Sequence, residues 1–149
     1  MQQKMSVNEF RVWSKKKVWT GKRGVCNYTE HDLQCDCVQL FRERYPHRAM
    51  LLFAIPNGGQ RHLSVAAKLK AEGVLSGVPD LFLALPSGEF HGLWLELKVG
   101  KNKLTDNQKK MFGILSEQKY KCVEIRSLED FFAEVEKYLK NGYKSVMSV

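Results

Sequence analysis

The sequence has little that would suggest a membrane or a secreted protein. Among 149 residues there are four cysteines and four prolines, and no apolar run approaches the length of a membrane span. The N-terminal residues lack a signal-peptide pattern, and no internal repeat or low-complexity segment is present. We therefore expect a cytoplasmic protein without a membrane partner. A chain of this length is enough for one domain with a real core and too short for two comfortable ones.

The cysteines give little support for a metal-binding role. Cys26, His31, Cys35 and Cys37 are close in sequence, but their spacing fits no common structural zinc pattern. Cys35 and Cys37 also lie in a run with helical spacing, where they point to different sides. Free thiols in a reducing cytoplasm are the plainer account of these residues.

The charge of the chain is positive and unevenly distributed. The formal net charge is +8; residues 1–28 hold seven basic residues and one acidic residue, 7 − 1 = +6, and the remainder contributes 17 − 15 = +2. This N-terminal arm places Lys15, Lys16 and Lys17 between Trp13 and Trp19. Such interleaving suits contact with phosphates and stacking on bases. It equally suits aromatic side chains that dock on the domain or on a second subunit while the lysines face water.

Periodicity and turn signals predict eight elements after the arm. The expected order is helix, strand, helix, strand, strand, helix, strand, helix, which indicates an α/β fold with a central mixed sheet flanked by helices. Met111, Phe112, Ile114 and Leu115 are predicted to be core. The predicted bounds are residues 29–45, 50–55 (a buried strand), 64–72, 81–85, 93–99, 106–118, 121–125 and 128–139, with Asn141-Gly142 ending the last helix. The corresponding division is an arm at 1–28, a domain at 29–140 and a tail at 141–149.

The most informative stretch is the predicted hairpin of strands 81–85 and 93–99, with a tight loop at Pro86-Ser87-Gly88. Alternation puts Glu96 and Lys98 on one face of the second strand and its leucines on the other. If the strands pair, Asp80 lies beside Glu96. Two converging carboxylates suit a hard divalent cation such as Mg²⁺, and a neighbouring lysine can orient water or stabilise charge on a phosphate. The alternative is that Glu96 and Lys98 form an ordinary pair on a solvated face.

The motifs resemble a known family. Pro79-Asp80 followed by Glu96-Leu97-Lys98 resembles the PD-(D/E)xK nuclease signature. The surrounding motifs are similar in order and spacing to the VRR-NUC domain, of the stand-alone bacterial or phage type. They are Pro56-Asn57-Gly58-Gly59, Arg61, the run at 69–74, Gly77-Val78-Pro79-Asp80-Leu81, the run at 92–98 and Leu104-Thr105-Asp106-Asn107-Gln108, so that the likeness covers roughly residues 29–139.

The resemblance implies a restriction-endonuclease-like fold and a set of site residues. Asp80, Glu96 and the Leu97 carbonyl would hold Mg²⁺ or Mn²⁺, with Glu30 assisting directly or through water, and Lys98 would be catalytic. Gln108 would lie beside Lys98 and touch water or a phosphate. The resemblance also implies that Asn57 and Arg61 line the DNA-binding side and that Gln34 leans into the active site with Glu30. The charge of the chain, independently of the resemblance, adds further candidates for binding nucleic acid: Lys101, Lys103, Lys15, Lys16 and Lys17.

The function expected from the resemblance is metal-dependent, structure-selective cleavage of DNA, at four-way (Holliday) junctions or other branched DNA, by a homodimer in a bacterial or phage-infected cytoplasm. Two alternatives remain, of which the first belongs to another class of protein. One is a non-catalytic nucleic-acid-binding module on a nuclease fold, which would have no need of acidic residues facing a polyanion. The other is a flap or restriction-type endonuclease, although little of the chain is left for a recognition region. The sequence does not exclude RNA as a substrate either.

Overall fold

The computed structural model describes residues 28–56 and 63–146 of the chain. Within these ranges, no helix combines the length and apolar character needed to cross a membrane. The basic arm with Lys15, Lys16 and Lys17 lies outside the described residues. The described helices and strands are α1 (Glu30–Arg44), a 3-10 helix (Pro46–Leu51), β1 (Leu52–Ala54), α2 (Leu63–Ala71), β2 (Leu81–Leu83), β3 (Leu93–Leu97), α3 (Asp106–Glu117), β4 (Lys121–Ile125) and α4 (Leu128–Val146).

The four strands form one mixed sheet in the order β1-β2-β3-β4. The β1–β2 and β2–β3 pairs are antiparallel, and the β3–β4 pair is parallel. The parallel pair requires a crossover, which α3 supplies. This architecture confirms the predicted α/β fold with a central mixed sheet and flanking helices.

The hydrophobic core lies on one face of the sheet. Alternating leucines of β2 and β3 point to this face and are fully buried, as the period-two pattern predicts. Helices α1 and α4 cover them with apolar residues at helical spacing, including Phe41 and Tyr138. Cys37 belongs to this buried stripe, whereas Cys35 is exposed on the other side of α1. The buried residues of this core include Leu81, Leu83, Leu93, Leu95 and Leu97 in the sheet, and Leu33, Leu40, Phe131 and Val135 in the helices.

The prediction of a buried strand at residues 50–55 was wrong. The apolar run is divided between the 3-10 helix and β1, a strand of three residues at the sheet edge. Only Leu52 of the strand is buried, while Phe53 is 44% exposed and Met50 is 92% exposed. A uniformly apolar run does not distinguish a central strand from an edge strand with one open face.

Two further predictions, the tight loop between β2 and β3 and the end of the last helix, were also wrong. The β2–β3 connection is not a tight loop, because the strands stop at Leu83 and Leu93, and Ser87 pairs with Phe90 in a separate turn. Helix α4 does not end at Asn141-Gly142 but continues to Val146. A Cβ on Gly142 would stand 3.1 Å from the Ser87 hydroxyl oxygen, so this glycine allows the β2–β3 loop to approach the helix.

Helix α3 covers the other face of the sheet only in part. Met111, Phe112 and Leu115 are half-buried, and Ile114 is 46% exposed, so the prediction that these four residues are core was wrong. The start of α3 packs closely, because a Cβ on Gly77 would lie 2.7 Å from the Asn107 carbonyl carbon. That contact, together with a φ of +89° at Gly77, explains the glycine three residues before Asp80.

Candidate active site

Asp80, Glu96 and Lys98 meet on the face of the sheet opposite the leucine core. Leu81 pairs with Leu95, so Asp80 and Glu96 are neighbours just beyond the last pair of β2 and β3. The Lys98 ammonium donates to Glu96 Oε1 at 2.6 Å. Glu96 is 1% exposed and Lys98 6% exposed, so the alternative of a pair on a solvated face is wrong. Buried charges that are kept in a small domain are a strong indication of a functional site.

The site lies where β2 and β3 separate. The Leu97 N–H donates to Asp80 Oδ2 at 2.9 Å, a side-chain acceptor in place of the next backbone carbonyl. The N–H and C=O of one strand residue point to the same side, so the Leu97 carbonyl also faces Asp80. Extending the β2–β3 register places Pro79 opposite Leu97, and proline has no N–H to donate to that carbonyl. The sequence Pro79-Asp80 therefore leaves an oxygen available next to two carboxylates.

Gln108 links the start of α3 to Glu96. Thr105 and Gln108 form a capping box, in which Gln108 Oε1 accepts from the Thr105 N–H at 2.8 Å. The other end of the same amide, Nε2, donates to Glu96 Oε1 at 2.5 Å. Because both ends of the amide are held, Gln108 fixes the orientation of Glu96. Lys98 donates to the same Glu96 oxygen, and the expected contact of Gln108 with water or a phosphate stays a prediction.

Glu30 approaches the cluster from the first turn of α1, where Thr29 caps the helix. Its Oε1 accepts from Asn102 Nδ2 at 2.9 Å. Burial is the main cause of the raised pKa of Asp80 and of Glu96, and the nearby negative charge of Glu30 adds to both increases. Sequence reasoning missed Asn102, and no local pattern could have found it, because its contact with Glu30 spans 72 positions of chain.

Other residues expected in the site have no described contact with Asp80, Glu96 or Lys98, or lie outside the described part. Gln34 lines a groove of about 640 Å³ on the outer side of α1, together with His31, Val38 and Ala54 at the end of β1. Lys101 and Lys103 are exposed in the segment after β3. Asn57 and Arg61 lie outside the described residues, so their expected roles stay predictions.

The carboxylates of the site hold their protons more tightly than usual. Burial raises the pKa of Glu96 to about 7, against the opposing hydrogen bond from Lys98, and the charge of Asp80 adds to the increase. Burial also raises the pKa of Asp80, although the Leu97 N–H and Lys98 oppose it. Burial lowers the pKa of Lys98, but its hydrogen bond to Glu96 and the nearby carboxylates raise it overall. The cluster thus contains more negative charge than its lysine can compensate.

The raised pKa of Glu96, which is caused mainly by burial, predicts that stability falls as pH rises. A carboxyl whose pKa is raised in the folded state stabilises the fold at low pH. This stabilisation is complete below the pKa of the unfolded chain, 4.5, and is lost as the pH rises through the folded pKa of about 7. In EDTA we expect Glu96 to remove about 2–3 kcal/mol of unfolding free energy across that window. Urea unfolding at pH 5, 6, 7 and 8 measures the effect. Glu96→Gln should flatten the profile, and an equal slope in both proteins would contradict the assignment.

The donor set of the site fits a hard divalent cation. Glu96 Oε2 is buried and has no hydrogen-bond partner among the described residues, and an orphaned carboxylate oxygen of this kind is costly unless it binds something. Asp80 and the Leu97 carbonyl supply further oxygens on the same side. In the described ranges, no group of three or more His, Cys, Asp and Glu side chains is arranged to hold a metal. Two carboxylates, a carbonyl and solvent are nevertheless an ordinary Mg²⁺ environment.

The fold defines the class of the protein: a restriction-endonuclease-like α/β domain, in which Asp80, Glu96 and Lys98 form a buried cluster. A solved structure described as a VRR_NUC domain protein superposes with a TM-score of 0.67 at 25% sequence identity, covering 80% of this chain and 93% of that chain. The chain therefore has the VRR-NUC domain fold, that of a nuclease domain. No model of a protein family matches the sequence, and no curated protein matches it either.

Proposed function

We propose that this protein is a metal-dependent endonuclease that hydrolyses phosphodiester bonds of branched DNA, four-way junctions above all. The observation that carries the proposal is the buried cluster of Asp80, Glu96 and Lys98 with its unpartnered Glu96 oxygen. Burying these charges costs stability, and such a cost is typical of functional sites. Nothing in the packing of the core requires charges there, because the leucines of β3 point to the opposite face.

The residues that would hold Mg²⁺ or Mn²⁺ are Asp80, Glu96 and the Leu97 carbonyl, with Glu30 assisting. When bound, the cation supplies Lewis-acid activation of water and compensation of phosphate charge. It also relieves the excess negative charge of the cluster, which is the physical reason for expecting it there.

The side chains of the chain itself have separate roles in the proposed hydrolysis. Lys98 places an ammonium beside the carboxylates, where it orients the attacking water and stabilises the negative charge of the pentacovalent transition state. Gln108 keeps Glu96 Oε1 in place through the amide that also caps α3. Water adds to phosphorus and the bond to the 3′ oxygen breaks, so the products carry a 5′-phosphate and a 3′-hydroxyl.

The substrate part of the proposal is supported by charge and exposure. The net charge of +8 and the exposed Lys101 and Lys103 favour a polyanion. A homodimer is part of the proposal, as the resemblance to the stand-alone members of the family implies. Two copies of the site would act on two strands of one junction.

The first test is cleavage of a labelled four-way junction beside a flap, a splayed arm and a linear duplex, each with Mg²⁺, Mn²⁺ or EDTA. We expect cutting of the junction that depends on the cation. We also expect either cation to raise the melting temperature of the wild type and not of Glu96→Gln. Cutting of the flap alone would change the proposed substrate. DNA binding without cutting under any condition, and without a cation-dependent melting shift, would favour the non-catalytic binding module.

A further inference from the structure

The segment between β3 and α3, residues 98–105, brings two exposed lysines to the edge of the site. We name it the β3–α3 loop. It begins with Lys98 and contains Lys101 and Lys103, both exposed. A turn is closed by the Asn102 N–H, which donates to the Val99 carbonyl at 3.2 Å, and Gly100 has a φ of +58°. A turn of this length does not by itself fix where the lysines point.

Arg126, directly after β4, holds this loop from outside. One guanidinium nitrogen, Nη1, donates to the Gly100 carbonyl at 3.2 Å, and Nη2 donates to the Asn102 carbonyl at 2.8 Å. Nη2 also pairs with Glu124. The planar fork of arginine suits this bridge between two carbonyls, which a lysine ammonium cannot reproduce with the same geometry.

The parallel pairing of β3 and β4 makes this contact possible. Leu97 pairs with Ile125, and the Lys98 N–H donates to the Ile125 carbonyl at 2.9 Å. Both strands therefore end at the same edge, where the residue after β4 meets the loop after β3. Asn102 then connects the loop to Glu30, so one loop joins β4, β3 and the start of α1.

The partners of Arg126 distinguish positioning from direct binding. An arginine near a nuclease site is commonly a phosphate ligand, but the donors of Arg126 are directed at two carbonyls and its charge is opposed by Glu124. We propose that Arg126 is a positioning residue, which fixes the β3–α3 loop so that Lys101 and Lys103 bind the phosphates flanking the one at Lys98. The inference rests on the proposed function for the identity of the ligand.

Binding in EDTA tests the proposal without any chemistry. A fluorescein-labelled four-way junction and a linear duplex are titrated with wild type, Arg126→Lys, the double variant Lys101→Ala/Lys103→Ala, and the combined triple variant. Because one lysine contact accounts for a slope of about 0.9 in the salt dependence of log Kd, we expect the double variant to lower that slope by roughly 2. Arg126→Lys keeps the charge, yet we expect it to bind roughly three- to tenfold more weakly.

The triple variant shows whether Arg126 acts through Lys101 and Lys103 or binds DNA directly. If Arg126 acts through the two lysines, its replacement adds nothing in the background that lacks them, as in a non-additive double-mutant cycle. A full additional loss there would overturn the proposal and make Arg126 a direct ligand. Wild-type affinity of Arg126→Lys would overturn it as well. Arg44→Lys is a control for the same replacement elsewhere in the domain, because Arg44 pairs with Glu136 at 3.6 Å away from the loop, and in the folded variant we expect unchanged affinity.

Hydrogen exchange supplies a second measurement on the protein alone. Amides of residues 99–103 should exchange faster in Arg126→Lys than in the wild type, with the rest of the described domain unchanged. Unchanged exchange in the loop would contradict positioning. A wild type that binds neither DNA would count against the proposed function, whereas the exchange result would still judge the role of Arg126. A wild type that binds but never cuts would remove catalysis and leave the binding cycle intact.

Discussion

Replacing Lys98 by methionine is expected to abolish cleavage while the protein remains folded and able to bind DNA. Lys98 is 6% exposed and its ammonium lies 2.6 Å from Glu96 Oε1, so methionine removes a positive charge whose position the packing fixes. The loss of a positioned charge at a phosphate under attack costs about 10²- to 10⁴-fold in rate. Single-turnover cleavage of the best substrate at saturating protein measures this loss, because it separates chemistry from binding.

The same substitution also has a cost in stability. Without the Lys98 ammonium, Glu96 is buried beside Asp80 with no positive charge next to it, although Gln108 still donates to Glu96 Oε1. We expect a loss of about 1–3 kcal/mol in unfolding free energy at pH 8, measured in urea. Cleavage should therefore be assayed well below the melting temperature of the variant.

Lys121→Met is the matched control for Lys98→Met. Lys121 also lies on a strand of the sheet and also pairs with a glutamate, Glu134, at 3.0 Å, but on β4 and away from the cluster. It should keep wild-type cleavage. If Lys98→Met cuts within roughly tenfold of Lys121→Met, Lys98 is not a catalytic group. Lys98→Arg retains the charge and would show how far position matters beyond charge.

The pairing of β2 with β3 and the shared face of Glu96 and Lys98 were predictable from sequence, because alternation in a strand is a strict geometric rule. Leucines at 93, 95 and 97 define one face, and Glu96 and Lys98 then have to share the other. The position of Asp80 followed from pairing with the next strand. Helical periodicity likewise predicted the apolar stripes of α1 and α4, although not which face of the sheet each helix covers.

What could not be predicted depends on contacts between segments. The run from Met50 to Ile55 is as apolar as a buried strand would be. Phe53 is exposed because β1 lies at the edge of the sheet, which the sequence does not reveal. Glycine at position 142 favours the end of a helix, but α4 continues past it. Its role is to make room for Ser87, which approaches from a loop distant in sequence. The contacts of Arg126 with Gly100 and Asn102 arise from a loop conformation, and no periodic pattern encodes them.

Replacing Asp80 by asparagine is expected to abolish cleavage and at the same time to stabilise the protein. Asp80 and Glu96 repel each other, and burial raises the pKa of both. Asparagine removes one charge but keeps an oxygen that can accept the hydrogen bond of the Leu97 N–H. In EDTA at pH 8 we expect a gain of about 1–2 kcal/mol in unfolding free energy, a trade common to functional sites. For a chain of this size the gain corresponds to a rise of about 2–8 °C in melting temperature.

The two effects of Asp80→Asn have one physical cause, the removal of a carboxylate that both repels Glu96 and binds the cation. Mg²⁺ or Mn²⁺ should stabilise the wild type more than Asp80→Asn, because the variant has lost a ligand, so the difference in melting temperature narrows as cation is added. Glu89→Gln, at an exposed acid in the turn before β3, should change neither stability nor cleavage. A variant that is less stable than the wild type at pH 8 in EDTA would mean that the Asp80 carboxylate contributes more through its bond to Leu97 than it costs by repulsion. In that case Asp80 would be retained for the structure of the strand junction, and charge repulsion would no longer be a reason to expect a cation at this position.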